Sequence, residues 1–329
     1  MIRNFLRAGL VCLGFFGLTT PPLAWGNVEA IGSAEVAPTV RQMATGFTAA
    51  TGIRASYTNA LEDVSTSELF VGIYDLAVVA YPSPDYRLQQ MGLFQFPLFT
   101  FGVTVVTNVP GIPADTLRLN GEVLAEIYSG RITRWNDPKI VHINPELRLP
   151  PLLIAPIAQS DGSIATLNFT RYLAAGSTAW REQIGIGSGL IWPLGEGEKD
   201  SRSAAQRVMD TPGAVGFQPA MNLAAFNLPT AQLQNGQGDF VSFSHANVRG
   251  KLVWPIMSVV YGQMKLVPED ISDAIETRQF LTWALKNPTA IGVQPGLHPV
   301  AYEMVAPALN SMVTKKTYDG RAAKKGNGS

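Results

Sequence analysis

The chain holds a single cysteine, Cys12, in 329 residues. From residue 27 onward there is none, which excludes disulfides, thiolate metal ligands and a thiol nucleophile from that stretch. A hydrophobic core must therefore hold the fold, and a chain of this length can bury one, with room for two domains. Net charge is equally scarce, since 25 Lys and Arg balance 25 Asp and Glu. That leaves no basic excess for a nucleic-acid face. Only three histidines occur, His142, His245 and His298, and none has metal-ligand spacing or a carboxylate partner in a hydrolase order. "GEGEKDSRS" (195–203) lacks the Gly-Lys-Ser/Thr ending of a phosphate-cradling nucleotide loop. Together these gaps point away from an enzyme and away from any metal or cofactor.

Long apolar runs are missing too. The run from Ala8 to Leu18 covers 11 residues, against about 20 for a bilayer-spanning helix. It follows Arg3 and Arg7 and precedes "TTPPLAWG", so residues 1–26 have the tripartite layout of a cleavable signal peptide, and a periplasmic protein is expected. Without that leader the chain carries 23 basic and 25 acidic residues. At the other end, residues 315–329 ("KKTYDGRAAKKGNGS") hold five basic residues and few apolar ones, the composition of a solvated, disordered tail.

Between these ends, short apolar runs alternate with helical patterns. "APTVRQMATGFTAATG" reads as a helix closed by Gly52, "IRASYT" as a strand, and "YDLAVVAYPSP" as a buried strand ended by prolines. "FPLFTFGVTVVTNVPG" is β-branched and aromatic, and "NGEVLAEIYSGRITRW" is an amphipathic helix with Val123, Leu124, Ile127 and Tyr128 on one face. "PLLIAPIAQS" and "VWPIMSVVYGQM" read as strands, and "ISDAIETRQFLTWALKN" as a helix. The alternation predicts an α/β fold with mostly parallel sheets.

In such folds, ligands bind at the turns leaving the carboxyl ends of strands. "IAQSDGSIATLNFTRYL" (157–173) is a turn of this kind: Gly162 permits a tight bend, and Ser163 is placed to cap a following helix. The first-turn N–H groups of that helix lack intrahelical partners and carry positive potential. No Arg or Lys occurs in the stretch until Arg171.

"LNGEVLAEIYSGRITRWNDPKIVHINPELRLP" (119–149), "QSDGSIATLNFTRYL" (159–173), "WPLGEGE" (192–198), "TPGAVGF" (211–217), "WPIMSVVYGQM" (254–264) and "FLTWALKNP" (280–288) follow in an order that resembles the phosphate-binding proteins of phosphate ABC transporters, the PstS-like family. The likeness spans residues 28 to 312. It implies a bilobal periplasmic-binding-protein fold of type II, two α/β lobes joined by two crossover segments. Lobe one would take residues 27–103 plus 256–314, and lobe two residues 104–255. It further implies a monomer that closes on a small oxyanion and works with an ABC transporter permease.

Carried over by residue, the resemblance places Gln159, Asp161, Ser163, Ile164, Ala165 and Thr166 in the lobe-two wall of the ligand cleft, and Ala34, Glu35 and Asp75 on the lobe-one side. The family pattern at the first stretch is approximately Arg-Ser-Asp-Gly-Ser-Gly-Thr-Thr. This chain keeps Ser160, Asp161, Gly162, Ser163 and Thr166, but has Gln159 for the Arg, Ile164 for the second Gly and Ala165 for the first Thr. The family's glycine-serine loop corresponds to a shortened loop, "TNALEDVSTSE". An arginine gives phosphate its strongest, bidentate hydrogen bonds, and losing one bond to a charged group costs about 1.5 to 3 kcal/mol. High-affinity phosphate binding is therefore not expected. Two bland roles stay open at this point: Ser163 as a helix cap only, and Asp161 in an Asx-turn. Gln159 and Ile164 also suit a less polar cleft for a neutral or larger ligand.

Overall fold

A computed structural model of the chain describes residues 27–160, 162–195, 197–245, 253–289, 293 and 295–310. The leader and the basic tail expected from the sequence lie outside these residues, as does Asp161.

The chain opens with β1 (Asn27–Gly32), a short 3-10 turn (Ala34–Val36) and α1 (Ala37–Thr51). Pro38 sits in the first turn of α1, where its missing N–H costs nothing, and Gly52 ends the helix at a φ of +78°. Next come β2 (Arg54–Asn59), α2 (Glu62–Val71), β3 (Leu76–Val79), α3 (Asp85–Gln90) and β4 (Leu93–Asn108). Then follow β5 (Arg118–Leu119), α4 (Gly121–Tyr128), α5 (Pro138–Ile143), β6 (Ala155–Pro156), α6 (Ile164–Gly176), α7 (Thr178–Gln183) and α8 (Ser201–Asp210). β7 (Ala214–Pro219), α9 (Leu223–Phe226), β8 (Gln232–Gln234) and β9 (Phe240–Val241) precede the return strand β10 (Met257–Lys265). α10 (Ile271–Lys286), β11 (Leu297–Pro299) and α11 (Tyr302–Asn310) complete the order.

The strands run β2-β1-β3-β10-β4-β7-β6, with β11 beside β4 and a separate β5-β8-β9 sheet. Two α/β halves result. In the first half, β1 pairs in parallel with β2 and β3, and β10 runs antiparallel to both β3 and β4. In the second half, β6 and β7 are parallel and β7 is antiparallel to the far end of β4. The sheets are thus mixed rather than mostly parallel. The antiparallel pairs of the long sheet all involve β4 or β10, the strands that carry the chain between the halves, and a connector's direction is set by where it must go.

β4 joins the halves without a break: Met257–Lys265 pairs along it up to Gly102, and from Val103 onward its partner is β7. At the changeover, Val103 N–H donates to the Ile256 carbonyl at 2.8 Å, and the buried Trp254 indole donates to the Val103 carbonyl at 2.8 Å. Phe243 packs edge-on against Trp254 and lies over Gly102, where a Cβ would meet its ring at 2.3 Å.

The second half is packed around Tyr128, Phe169, Trp180, Trp192 and Phe217. Phe169 stacks on Phe217 at 4.2 Å, and Tyr128 meets Phe169 edge-on at 5.1 Å. The polar ends of these rings do further work, as buried Tyr and Trp need a partner. Tyr128 donates to the Ile157 carbonyl at 3.1 Å, Trp135 to Gly213 at 3.0 Å, and Trp192 to Gln159 at 2.8 Å. "IYSGRITRW" thus pins the strand that delivers the turn at 160–163. Among the described residues, no helix is long and apolar enough to cross a membrane.

Candidate functional site

Two strand-to-helix turns emerge from the carboxyl ends of β1 and β6. On the first, Gly32 lies so close to β3 that a Cβ would stand 1.9 Å from the Val78 carbonyl oxygen. Ser33 follows, buried, with its N–H on that carbonyl at 2.9 Å and its own carbonyl held by the Tyr57 hydroxyl at 2.7 Å. The Ser33 hydroxyl caps the 3-10 turn by accepting from Glu35 N–H at 3.4 Å. Ala34 is exposed and Glu35 half-buried. Both sequence candidates therefore stand at the strand end where a ligand can reach them.

On the second turn, Gly162 adopts a φ of +69°, and Ser163 caps α6 by accepting from Thr166 N–H at 3.2 Å. Its hydroxyl also lies 3.2 Å from that of Thr166, which is fully buried. Ser163 is half-buried at the turn itself. The next two candidates go elsewhere. Ile164 and Ala165 are enclosed in the hydrophobic core, so their side chains are packing residues and not cleft lining, and only their backbone belongs to the turn.

Gln159 is completely buried. It forms a parallel bridge with Glu198, and its Nε2 donates to the Phe217 carbonyl. The turn is closed from this side by Gly197, where a Cβ would stand 2.6 Å from Ser160 Oγ. β6 and β7 pair Ala155 with Ala214 and Pro156 with Val215, and continuing that register brings Gln159 level with the equally buried Gln218. Each carries one amide atom, Gln159 Oε1 and Gln218 Nε2, that has no hydrogen-bond partner. Sequence reasoning missed Gln218, whose only signal was a polar residue in the apolar run "AVGFQP".

Asp75 is corrected by the structure. β3 runs parallel to β1, and Asp75 lies before its amino end, where its N–H donates to the Glu29 carbonyl and its Oδ2 accepts from Glu29 N–H, at 2.9 and 2.8 Å. The turns that form the cleft leave the opposite end of these strands. At that end β3 carries Ala80 and Tyr81. Asp75 instead lines a separate cavity of about 150 Å³ with Lys265, Glu269, Asp270 and Asp273. Burial, opposed by the Glu29 N–H, pushes its pKa up to about 6, with Asp273, Glu29 and Glu276 adding repulsion. The shortened loop is corrected as well: Glu62–Val71 is a helix, α2, whose inner side carries the buried Ser65, Thr66 and Leu69. Its polar inner side and apolar outer residues (Leu61 and Val71 are exposed) hide the helical signal from a pattern reading.

The residue that joins the two halves at the second turn was not foreseen. Tyr81, at the carboxyl end of β3, donates its hydroxyl to the Gly162 carbonyl at 2.7 Å, across the gap between the halves. A second bridge, Asn168 Nδ2 to Ser258 Oγ at 2.8 Å, ties α6 to β10 nearer the crossover. Around the two turns the named side chains are hydroxyls, amides, a phenol and one carboxylate; no Arg or Lys is among them. No cluster of three or more metal-ligating side chains occurs among the described residues.

A two-lobed α/β chain whose halves are bridged at a strand-to-helix turn has the form of a periplasmic binding protein. The comparisons agree. Residues 19–261 match the model of a PBP superfamily domain. The phosphate-binding protein PstS of Xylella fastidiosa (strain 9a5c) is 30% identical over 295 residues, covering 82% of this chain and 81% of that one. PstS of Haemophilus influenzae is 28% identical over 312 residues, covering 88% and 93%. In structure, an ABC-type phosphate transport receptor from Vibrio cholerae superposes with a TM-score of 0.56 at 17% identity, over 82% of this chain and all of that one. The chain belongs to the PBP superfamily, as a PstS-like member.

Proposed function

We propose that this chain is the exported solute-binding component of a phosphate-type ABC uptake system, a periplasmic monomer without enzymatic activity that closes its two lobes on a small oxyanion and presents it to a permease. The lobe division lies at the β4 changeover, with residues 27–103 and 256–314 on one side and 104–255 on the other. Support comes from family membership together with one contact: the Tyr81 hydroxyl, two residues past β3 in the first half, reaches the Gly162 carbonyl at the start of α6 in the second. An oxyanion would sit on the α6 N-terminal turn and meet the hydroxyl of Ser163, with the buried Thr166 hydroxyl behind it.

Binding is weak in this reading. Gln159 replaces the guanidinium of the family pattern with a neutral amide already committed to Phe217, and Glu35 adds like charge on the opposite side. Titration calorimetry of the purified protein with phosphate, sulfate and arsenate tests it. Dissociation constants for phosphate in the millimolar range are expected; tight binding would overturn the account of Gln159.

One observation favours a second reading, a sensor or interaction module that takes a neutral or larger ligand. The side chains named around the cleft offer donors and acceptors in quantity and no positive charge. A flat calorimetric response to all three oxyanions, with a response to a neutral polar solute, would establish this alternative.

A further inference from the structure

We infer that Tyr81 is an internal strut that holds the cleft closed without ligand, and that an incoming ligand must displace it; Tyr81 thereby sets which solutes the cleft accepts. The inference rests on the placement of the cleft given above. Tyr81 leaves the carboxyl end of β3 in the first half, and its hydroxyl reaches the Gly162 carbonyl of the second half at 2.7 Å. Gly162 directly precedes Ser163, the cap of α6. A phenol therefore ends one residue from the helix terminus on which an anion would sit.

The strut is stiffly mounted. The next two residues are Pro82 and Ser83, followed by Pro84, so the segment has little freedom to swing. Ser83 is gripped on both backbone groups by Gln95, N–H to Oε1 and carbonyl from Nε2, each at 3.0 Å. Its hydroxyl accepts from Nε2 of the buried Gln263 at 3.0 Å, and Gln263 Oε1 in turn accepts from the Thr66 hydroxyl at 2.9 Å. Four side chains, those of Ser83, Gln95, Gln263 and Thr66, thus anchor the backbone that carries Tyr81 to β4, β10 and α2. A residue that served only to fill space would need no such mounting.

Closure in this family of folds is a hinge motion, and a ligand shifts it only by its differential affinity for the two states. A protein whose closed state is already held by its own side chain gives ligand little further closure to drive. Its ligand must also win the turn from Tyr81, so the apparent affinity falls by the fraction of molecules in which the strut is released. One neutral hydrogen bond makes that penalty roughly two- to tenfold.

The test is a distance measurement. In the protein from residue 27 onward, which has no cysteine of its own, thiols at Gln42→Cys on α1 and Glu182→Cys on α7, both exposed, carry spin labels on the two halves. Double electron–electron resonance of the ligand-free protein is expected to give one narrow distance with Tyr81 and a broader, longer distribution with Tyr81→Phe. Equal distributions would overturn the strut. Phosphate is then titrated into both. Roughly two- to tenfold tighter binding by Tyr81→Phe is expected, together with recovery of the narrow distance; equal or weaker binding would overturn the competition. If the distributions differ but neither protein responds to phosphate, the strut stands and the oxyanion reading of the cleft falls. Because the phenylalanine keeps the ring, melting temperatures of the two proteins should agree within a few degrees, which separates release of the strut from loss of fold.

Discussion

Replacing Asp75 by Asn should stabilise the protein at neutral pH and do nothing in acid. The carboxylate sits beside Asp273, Glu29 and Glu276 at a half-buried position, and its pKa is raised from 3.8 to about 6, first by desolvation. For an acid with a raised folded-state pKa, the folded protein binds more protons than the unfolded chain between the two values. The penalty is therefore complete above about pH 6 and disappears as the pH falls through 4. A shift of this size would be worth about 3 kcal/mol for a fully enclosed group. Asp75 is partly open to water, so screening reduces the figure to about 1 kcal/mol. Asparagine keeps the acceptor for Glu29 N–H, so the amide loses the charge without losing that bond. Urea unfolding of both proteins at pH 7.5 and pH 4 checks it: the variant should gain about 1 kcal/mol at the higher pH and be level at the lower. A destabilised variant at pH 7.5, or a difference that grows toward acid, would refute the reasoning. The same variant should keep the wild-type response to phosphate, since Asp75 stands at the far end of the strands from the cleft.

Three further outcomes follow from the site. Gly32→Ala places a methyl 1.9 Å from the Val78 carbonyl, so the β1–β3 contact must open; a loss of more than about 3 kcal/mol in chemical denaturation is expected. Ser163→Ala removes the α6 cap and should cost about 1 kcal/mol by the same assay, with a weaker phosphate response if its hydroxyl meets the ligand. Gln159→Arg puts a guanidinium into a fully enclosed position, lowering the melting temperature by an amount equivalent to several kcal/mol. Phosphate should recover part of that loss by binding the folded state, and a variant as stable as wild type without phosphate would show that the position is not enclosed.

Elements whose burial follows a simple period were legible in the sequence. α1 runs from a Pro-marked start to Gly52, α10 covers the pattern read for it, and β4, Leu93–Asn108, takes in most of the β-branched run at 96–111. α2 was not, because its buried side carries Ser65 and Thr66, whose hydroxyls are bonded to the Leu61 carbonyl and Gln263 Oε1. At the site, the cap at Ser163 followed from local chemistry alone. Ile164 and Ala165 stand in the first turn of α6 with their side chains in the core, and local pattern does not say which side of a helix's first turn faces the packing. Asp75 was placed by resemblance alone, although it stands just before the amino end of β3 and ligand turns leave the carboxyl ends. Tyr81 makes its contact 81 residues away in sequence, to Gly162, Gln218 pairs with Thr104 across 114 residues, and no local pattern encodes such pairs.

β4 has a consequence for the order in which the molecule can be built. The elements of the second half, β5 through β9 with α4 to α9, form one uninterrupted stretch that closes on the far end of β4. Every strand they pair with has been synthesised by residue 241. The first half has no such luck: its middle strand, β10, pairs Tyr261 with Val79 and Met257 with Gly102. Until some 180 further residues have followed β3, that strand has one unpaired edge, and the near end of β4 has another. Contacts of this separation form late and slowly, so the half made first is the half finished last. A chain arrested after residue 245 should hold a folded second half beside an open, sticky first one, and that intermediate is where a holding chaperone would find its purchase.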